Sequence, residues 1–151
     1  MNSPNKPFPD RFCFIQGPIL PQKILEEIQD YQSELHTGAY SLFLGQVRND
    51  KINGKEVVAI EYTAYEDMVL KKFDTISRRL LNSYDINGIR ILHSLETVKS
   101  GEISLLVLVT AGHRVGAMKA CRKAVDLIKS ELPIWGKELF RDGDHVWKEN
   151  K

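Results

Sequence analysis

An almost unbroken apolar run, Ile103 to Val109 (ISLLVLV), is the feature that most constrains the fold of this chain. The run is far shorter than the roughly 20 residues that a membrane-spanning helix needs. Its length and its leucine, isoleucine and valine content predict a strand that is buried on both faces. Such a strand must lie inside a sheet that has other elements packed against it, so the chain requires a layered fold with one substantial core.

The segments before this run alternate between strand and helix patterns. Apolar residues at helical spacing predict helices over Gln22–Gln32 and Glu66–Leu81. Alternating, β-branched or aromatic residues predict strands, separated by polar or glycine-containing turns, at Arg11–Gln16, Gly38–Val47, Val57–Tyr62 and Ile89–His93.

The segments after the run continue the pattern. A third helix is predicted over His113–Ser130, ended by Pro133, and a last strand over Ile134–Phe140. The order of elements is therefore β-α-β-β-α-β-β-α-β. Neighbouring strands joined by short turns do not suit a doubly wound parallel sheet. We therefore predict an α+β fold with a mixed or antiparallel sheet and about three main helices.

The predicted organisation is one domain preceded by a short tail. Residues 1–10 (MNSPNKPFPD) contain three prolines and no apolar segment, so we expect a flexible N-terminal tail and no secretory signal. Residues 11–151 are then a single domain, which is a normal size for one hydrophobic core.

Charge and cysteine content exclude several classes of function. The chain carries 21 basic and 20 acidic side chains, a formal net charge of +1, so no overall field attracts nucleic acid or membrane. Any anion site must therefore be built locally. Cys13 and Cys121 lack metal-ligand spacing and indicate reduced thiols in a cytoplasmic protein, and we expect no metal and no cofactor.

Cationic residues at the ends of predicted elements are the candidates for chemistry. His113 and Arg114 open the third helix, where unpaired N–H groups and the helix dipole favour anions. Arg48 follows a strand, and Lys129 closes the third helix. Each also has a structural explanation, because His113 can cap the helix, Arg48 can be a surface charge, and Lys129 can stabilise the helix C-terminus. If these residues converge, they form a pocket for a small anionic substrate.

Four segments resemble the large, catalytic subunit of molybdopterin synthase, and the match runs in order from about Arg11 to the end. They are Gly38–Asn49 (GAYSLFLGQVRN), Ile60–Met68 (IEYTAYEDM), Val109–Arg122 (VTAGHRVGAMKACR) and Ala124–Glu138 (AVDLIKSELPIWGKE). The resemblance implies an α/β hammerhead with an added antiparallel sheet. It also implies conversion of cyclic pyranopterin monophosphate (precursor Z) to molybdopterin, in molybdenum cofactor biosynthesis.

The resemblance further implies partners. Sulfur comes from a small ubiquitin-like subunit whose Gly-Gly C-terminus carries a thiocarboxylate and inserts into a pocket of the large subunit. Two large subunits form a central dimer within a heterotetramer.

Carried over by position, the resemblance implies catalytic roles for Lys129 and Lys137. The substrate-binding residues that it implies are Gln46, Val47, Arg48, His113, Arg114, Lys129, Gly136, Lys137 and Glu138. Two positions depart from the family's pattern. Gly136 stands where a lysine is common, so either Lys137 swings in or the pocket has one cation fewer, and Gln46 also stands where a lysine is frequent.

Two other functions are left open by the sequence. One is a non-catalytic subunit that binds a pterin phosphate or a nucleotide phosphate, and it predicts affinity for precursor without turnover. The other is a pure interaction subunit, in which Trp135 and the last strand form an interface while the cations play no part.

Overall fold

The computed structural model describes residues 10–149. The flexible tail that we expect over residues 1–10 lies, except for Asp10, outside the described residues. Asp10 itself accepts a hydrogen bond at Oδ1 from the Ile89 backbone N–H, at 2.9 Å.

Eleven elements follow one another along the described chain, eight strands and three helices. The helices are α1 (Pro21–Tyr31), α2 (Glu66–Ser83) and α3 (Arg114–Glu131). The strands are β1 (Arg11–Gln16), β2 (Ala39–Gln46), β3 (Lys51–Ile52), β4 (Lys55–Ala64), β5 (Gly88–Lys99), β6 (Ile103–Ala111), β7 (Ile134–Phe140) and β8 (His145–Trp147). The α+β class is confirmed, because the strands form a mixed sheet in the order β2-β6-β5-β4-β7-β8, with β1 parallel to β5 and every other pairing antiparallel.

Strand β6 is buried on both faces, as its composition predicts. Side chains alternate across a strand. Val107 and Val109 therefore join the core beneath α2 and α3, while Leu106 and Leu108 join a second cluster that includes Tyr31 of α1. The small residues of α3, Ala117, Ala120 and Ala124, are fully buried and let that helix approach the sheet closely.

Strand β5 belongs to two parts of the sheet. Its first half, up to Leu95, pairs with β6 and β1, and its second half, from Glu96, pairs with β4. Glu96 has φ of 68°, in the left-handed region that non-glycine residues rarely adopt. The strand therefore bends at Glu96, where its pairing passes from the β2-β6-β5-β1 part of the sheet to the β4-β7-β8 part.

A buried ionic cluster joins α1 to the sheet. The Arg90 guanidinium of β5 donates to Glu27 Oε2 at 2.8 Å, and these side chains are only 4% and 1% exposed. Arg11 donates to the same carboxylate at 2.9 Å, and Lys23 lies 3.4 Å from it. Arg90 also packs over the Tyr31 ring. These contacts fix α1 against the sheet face opposite to α2 and α3.

Two predictions about the elements need correction. Residues 48–55, which the sequence patterns leave as a polar turn between two predicted strands, contain the short strand β3, and residues 145–147, beyond the last predicted strand, form β8. Both strands are short and mostly exposed, so their sequences lack the alternation of apolar and polar residues that predicts a strand. None of the helices formed by residues 10–149 combines the length and the apolar character required to cross a membrane.

Candidate active site

A cavity of about 780 Å³ is lined by residues from both parts of the sheet. A volume of this size accommodates a small organic molecule. The end of β2, the C-terminal turn of α3, the middle of β4 and β7 and the segment after β8 all contribute to its walls. Of the predicted site residues, the cavity is lined by Gln46, Val47, Arg48, Lys129, Gly136 and Glu138.

Lys129 is the central cation of this cavity. It occupies the last turn of α3 and lines the cavity together with residues of β4 and β7. Burial lowers the pKa of the Lys129 ammonium, and the positive charges of Lys148 and Arg48 lower it further. A lysine with a lowered pKa exchanges its proton more readily near neutral pH than an ordinary lysine does.

Side chains alternate between the two faces of β7, so the three neighbouring candidates Gly136, Lys137 and Glu138 do not all face the cavity. Gly136 and Glu138 face the cavity, and the Glu138 residue is 7% exposed. Lys137 points to the other face of the strand, where its Nζ lies 3.6 Å from Glu61 Oε1 and 5.6 Å from the centre of the Trp147 ring. Lys137 therefore does not swing into the cavity to replace the lysine that is absent at Gly136.

Three polar residues on the cavity floor are absent from the predicted site. Tyr62 donates a hydrogen bond from its hydroxyl to Ser104 Oγ at 3.0 Å, and its ring packs edge-on against the His93 ring. The Nδ1 of His93 lies 2.8 Å from the Ser94 carbonyl, which can only accept, so Nδ1 carries the proton. Burial and the charge of Lys129 lower the pKa of His93 to about 4. The floor is therefore polar and uncharged at neutral pH.

His113 and Arg114 do not line this cavity. Both are exposed, and they mark the start of α3, whereas Lys129 is at its end. Arg114 and Lys129 are fifteen positions apart in α3, a span of roughly 22 Å at 1.5 Å per residue. One chain therefore cannot bring both residues to one small substrate.

His113 and Arg114 lie instead at the start of the edge strand β2. Ala39 pairs with Ala111, and a side chain at Gly38 would collide with the Gly112 carbonyl. The far end of β2 leads to Gln46 and the cavity. Two pairs of cationic residues thus lie at opposite ends of one sheet edge. His113 and Arg114 are at one end, and Arg48 and Lys129 are at the other.

These features define an α+β protein that carries a cation-lined cavity for a small anionic molecule. The chain belongs to the MoaE protein family, whose model matches residues 16–131. This match confirms the family resemblance that the four sequence segments carry.

Similar proteins whose names are known support the assignment of the chain to this family. The chain is 41% identical over 121 residues to the molybdopterin synthase catalytic subunit of Dictyostelium discoideum, a match that covers 78% of this chain and 76% of the relative. It is 38% identical over 122 residues to the protein of the same name from Oryza sativa subsp. indica, where the match covers 81% of this chain and 62% of the relative. The chain thus spans less than two thirds of the rice protein.

Solved structures share the fold. Molybdopterin synthase from Staphylococcus aureus aligns with a TM-score of 0.77 at 28% identity, over 90% of this chain and 95% of that one. A complex of subunits 1 and 2 of molybdopterin-converting factor from Helicobacter pylori aligns with a TM-score of 0.77 at 21% identity, over 93% and 91% of the two chains. At that lower identity the likeness concerns the fold alone.

Proposed function

We propose that this chain is the catalytic subunit of a molybdopterin synthase, a sulfurtransferase that converts cyclic pyranopterin monophosphate to molybdopterin. Family membership and relatives named as molybdopterin synthase catalytic subunits support this function. They support it over the alternative of a non-catalytic subunit that only binds a pterin phosphate or another protein. The observation that carries the proposal is Lys129, a lysine of lowered pKa placed in a cation-lined cavity of suitable size.

The cavity residues suggest a division of roles. Arg48 and Lys129 attract the phosphate, while Gln46, Val47, Gly136 and Glu138 shape the walls around the pterin. A thiocarboxylate on the small subunit is already a nucleophile, so Cys121, which is buried, remains structural. Lys129 assists proton transfer and stabilises negative charge as the cyclic phosphate opens. Lys137 would have to leave Glu61 to take part, so the catalytic role stays with Lys129.

We propose that His113 and Arg114 act in the cavity of a second copy of the chain. Strand β2 is an edge strand, and it exposes an apolar stripe, Tyr40, Leu42 and Leu44. Such edges are usually covered by a partner. If two β2 strands pair antiparallel about a two-fold axis, the start of one lies beside the end of the other. The partner's copy of the α3 N-terminus then approaches the Gln46–Arg48 end of this chain.

The remaining partner is a small ubiquitin-like subunit with a thiocarboxylated Gly-Gly C-terminus, so the assembly is a heterotetramer around a dimer of large subunits. The complex of subunits 1 and 2 of the Helicobacter pylori factor supports a two-subunit assembly. We also propose a cytoplasmic location, because Cys13 and Cys121 are free thiols and cytoplasmic conditions keep thiols reduced.

A reconstituted assay tests this function. The purified chain, precursor Z and a thiocarboxylated small subunit are mixed, and molybdopterin is measured. We expect product that depends on both the chain and the thiocarboxylate. Precursor binding without product would favour the non-catalytic alternative, and the absence of both would contradict the proposed function.

Replacing Arg114 with alanine is expected to weaken precursor binding by roughly 10- to 100-fold, because a charge-assisted hydrogen bond to phosphate contributes about 1.5–3 kcal/mol. Calorimetry with precursor Z measures the dissociation constant. Arg122→Ala, on the exposed surface of the same helix, is the matched control and should bind normally. An unchanged dissociation constant for Arg114→Ala would contradict its role with phosphate.

Mixing two impaired variants tests whether two chains share each cavity. When Lys129→Ala and Arg114→Ala chains are co-refolded in equal amounts, half of the dimers are mixed, and one of the two cavities in each mixed dimer has both residues intact. At limiting precursor we expect about a quarter of the wild-type rate to return. If each cavity used residues of one chain only, the mixture would be no more active than its components.

A further inference from the structure

Lys148 is one of three lysines that line the cavity, and the sequence patterns give no indication of its place there. It follows β8, and its backbone N–H donates to the Gly136 carbonyl at 2.8 Å. Its Nζ lies 3.7 Å from Glu138 Oε1, and the two side chains are 28% and 9% exposed. A backbone hydrogen bond and an ion pair therefore hold Lys148 in the cavity wall.

The wall at Gly136 does not itself accommodate a side chain easily. A Cβ at this position would lie 3.0 Å from Ile60 Cγ2 and 3.4 Å from Tyr62 Cε1, which is closer than side chains normally pack. With glycine at position 136, a cation on this side of the cavity comes from a neighbouring segment. Lys148 is hydrogen-bonded to the Gly136 carbonyl through its backbone, so it is in position to provide that cation.

The charged side chains that line the cavity show why Lys148 is important for binding an anion. The charged residues that line the cavity are four cations and three anions, and the uncharged His93 adds nothing at neutral pH. Loss of one cation would leave three against three, and the cavity would no longer favour an anion. The four cations are Arg48, Lys51, Lys129 and Lys148, and the three anions are Asp50, Glu138 and Glu149.

We propose that Lys148 is a further fixed cation of the active site and binds the anionic group of the substrate together with Arg48 and Lys129. Pairing with Lys148 also neutralises Glu138, whose buried carboxylate would otherwise repel a phosphate. The inference rests on the proposed function for the identity of the substrate, but the arrangement of charges is a property of the chain alone.

Lys148 also acts on Lys129 as a positioning residue, because its charge contributes to the lowered pKa of that amine. Neutralising Lys148 should therefore move the titration of Lys129 to higher pH. The ionisable groups that line the cavity with Lys129, on all the elements that form it, are Arg48, Asp50, Lys51, Tyr62, His93, Glu138, Lys148 and Glu149.

Two measurements on Lys148→Met and Lys148→Arg test the proposal. The first follows the titration of Lys129 by NMR of ¹³C-dimethylated lysines, with the signal assigned from Lys129→Arg, and it needs no substrate. The second measures binding of inorganic phosphate and of precursor Z by calorimetry. Lys123→Met, which removes the same charge from the exposed face of α3, is the control.

We expect Lys148→Met to raise the titration midpoint of Lys129 and to weaken precursor binding about tenfold, with Lys148→Arg close to wild type in both. An unmoved midpoint or an unchanged affinity in Lys148→Met would overturn the proposal, as would equal losses in Lys148→Arg. If wild-type chain binds phosphate but not precursor, the proposed function fails while the NMR titration and phosphate affinity still decide the role of Lys148.

Discussion

Replacing Lys129 with alanine is expected to give a folded, dimeric chain that makes almost no molybdopterin. Lys129 lies in the last turn of α3 and lines the cavity, and it is not a member of the hydrophobic core, so we expect the variant to fold. It removes the amine proposed to transfer a proton and to stabilise charge, and such groups contribute about 10²- to 10⁴-fold to a rate. Single-turnover yield from precursor Z and a thiocarboxylated small subunit measures the effect.

The control for this variant is Lys123→Ala, which removes a lysine from the same helix outside the cavity and should keep the wild-type rate. Circular dichroism and size-exclusion chromatography check that both variants fold and associate. A near-normal yield from Lys129→Ala would remove Lys129 from the mechanism, whatever the family assignment.

Replacing Glu27 with alanine is expected to produce a large loss of stability. Its carboxylate is 1% exposed and meets the Arg90 guanidinium, which is itself 4% exposed, at 2.8 Å. Without Glu27, the buried Arg90 guanidinium keeps its ion pair with Asp30, whose side chain is 47% exposed, but loses its buried carboxylate partner, and breaking a buried ion pair costs about 3–5 kcal/mol. For a chain of this size that loss corresponds to a fall in Tm of roughly 6–20 °C. Thermal unfolding followed by circular dichroism measures it.

Glu26→Ala provides the comparison on the same helix. The Glu26 side chain is 54% exposed and lies 3.6 Å from Lys23. Exposed ion pairs of this kind contribute little, so Tm should stay close to wild type. Equal melting temperatures for the two variants would mean that the buried cluster does not stabilise α1 against the sheet.

Most of the fold is predictable because apolar residues recur at helix or strand spacing in the elements that form the core. The apolar run at Ile103–Val109 predicts a central strand, and the bounds predicted for β7 are those observed. The second half of β5 is not predicted, since Glu96 and Thr97 interrupt its apolar pattern. That half pairs with β4 and positions the cavity, so the sequence predicts the core better than the site.

The candidate site depends on geometry that sequence patterns describe only in part. Side chains alternate across a strand, so the predicted strand over Ile134–Phe140 is by itself enough to place Gly136 and Glu138 on the face opposite to Lys137. The rise of a helix likewise places Arg114 far from Lys129. By contrast, no pattern predicts Lys148 or His93 as cavity residues. Their positions depend on how β8 and β5 pair with strands that are distant in the sequence.

The bend in β5 at Glu96 has a consequence for how this molecule loses its structure. A single continuous backbone supplies hydrogen-bonded neighbours to β1 and β6 on one side of the bend and to β4 on the other. Neither part of the sheet retains a complete set of partners once β5 detaches. Denaturation should therefore be cooperative, and the cavity should be lost in the same step as the core, with no intermediate that keeps one without the other.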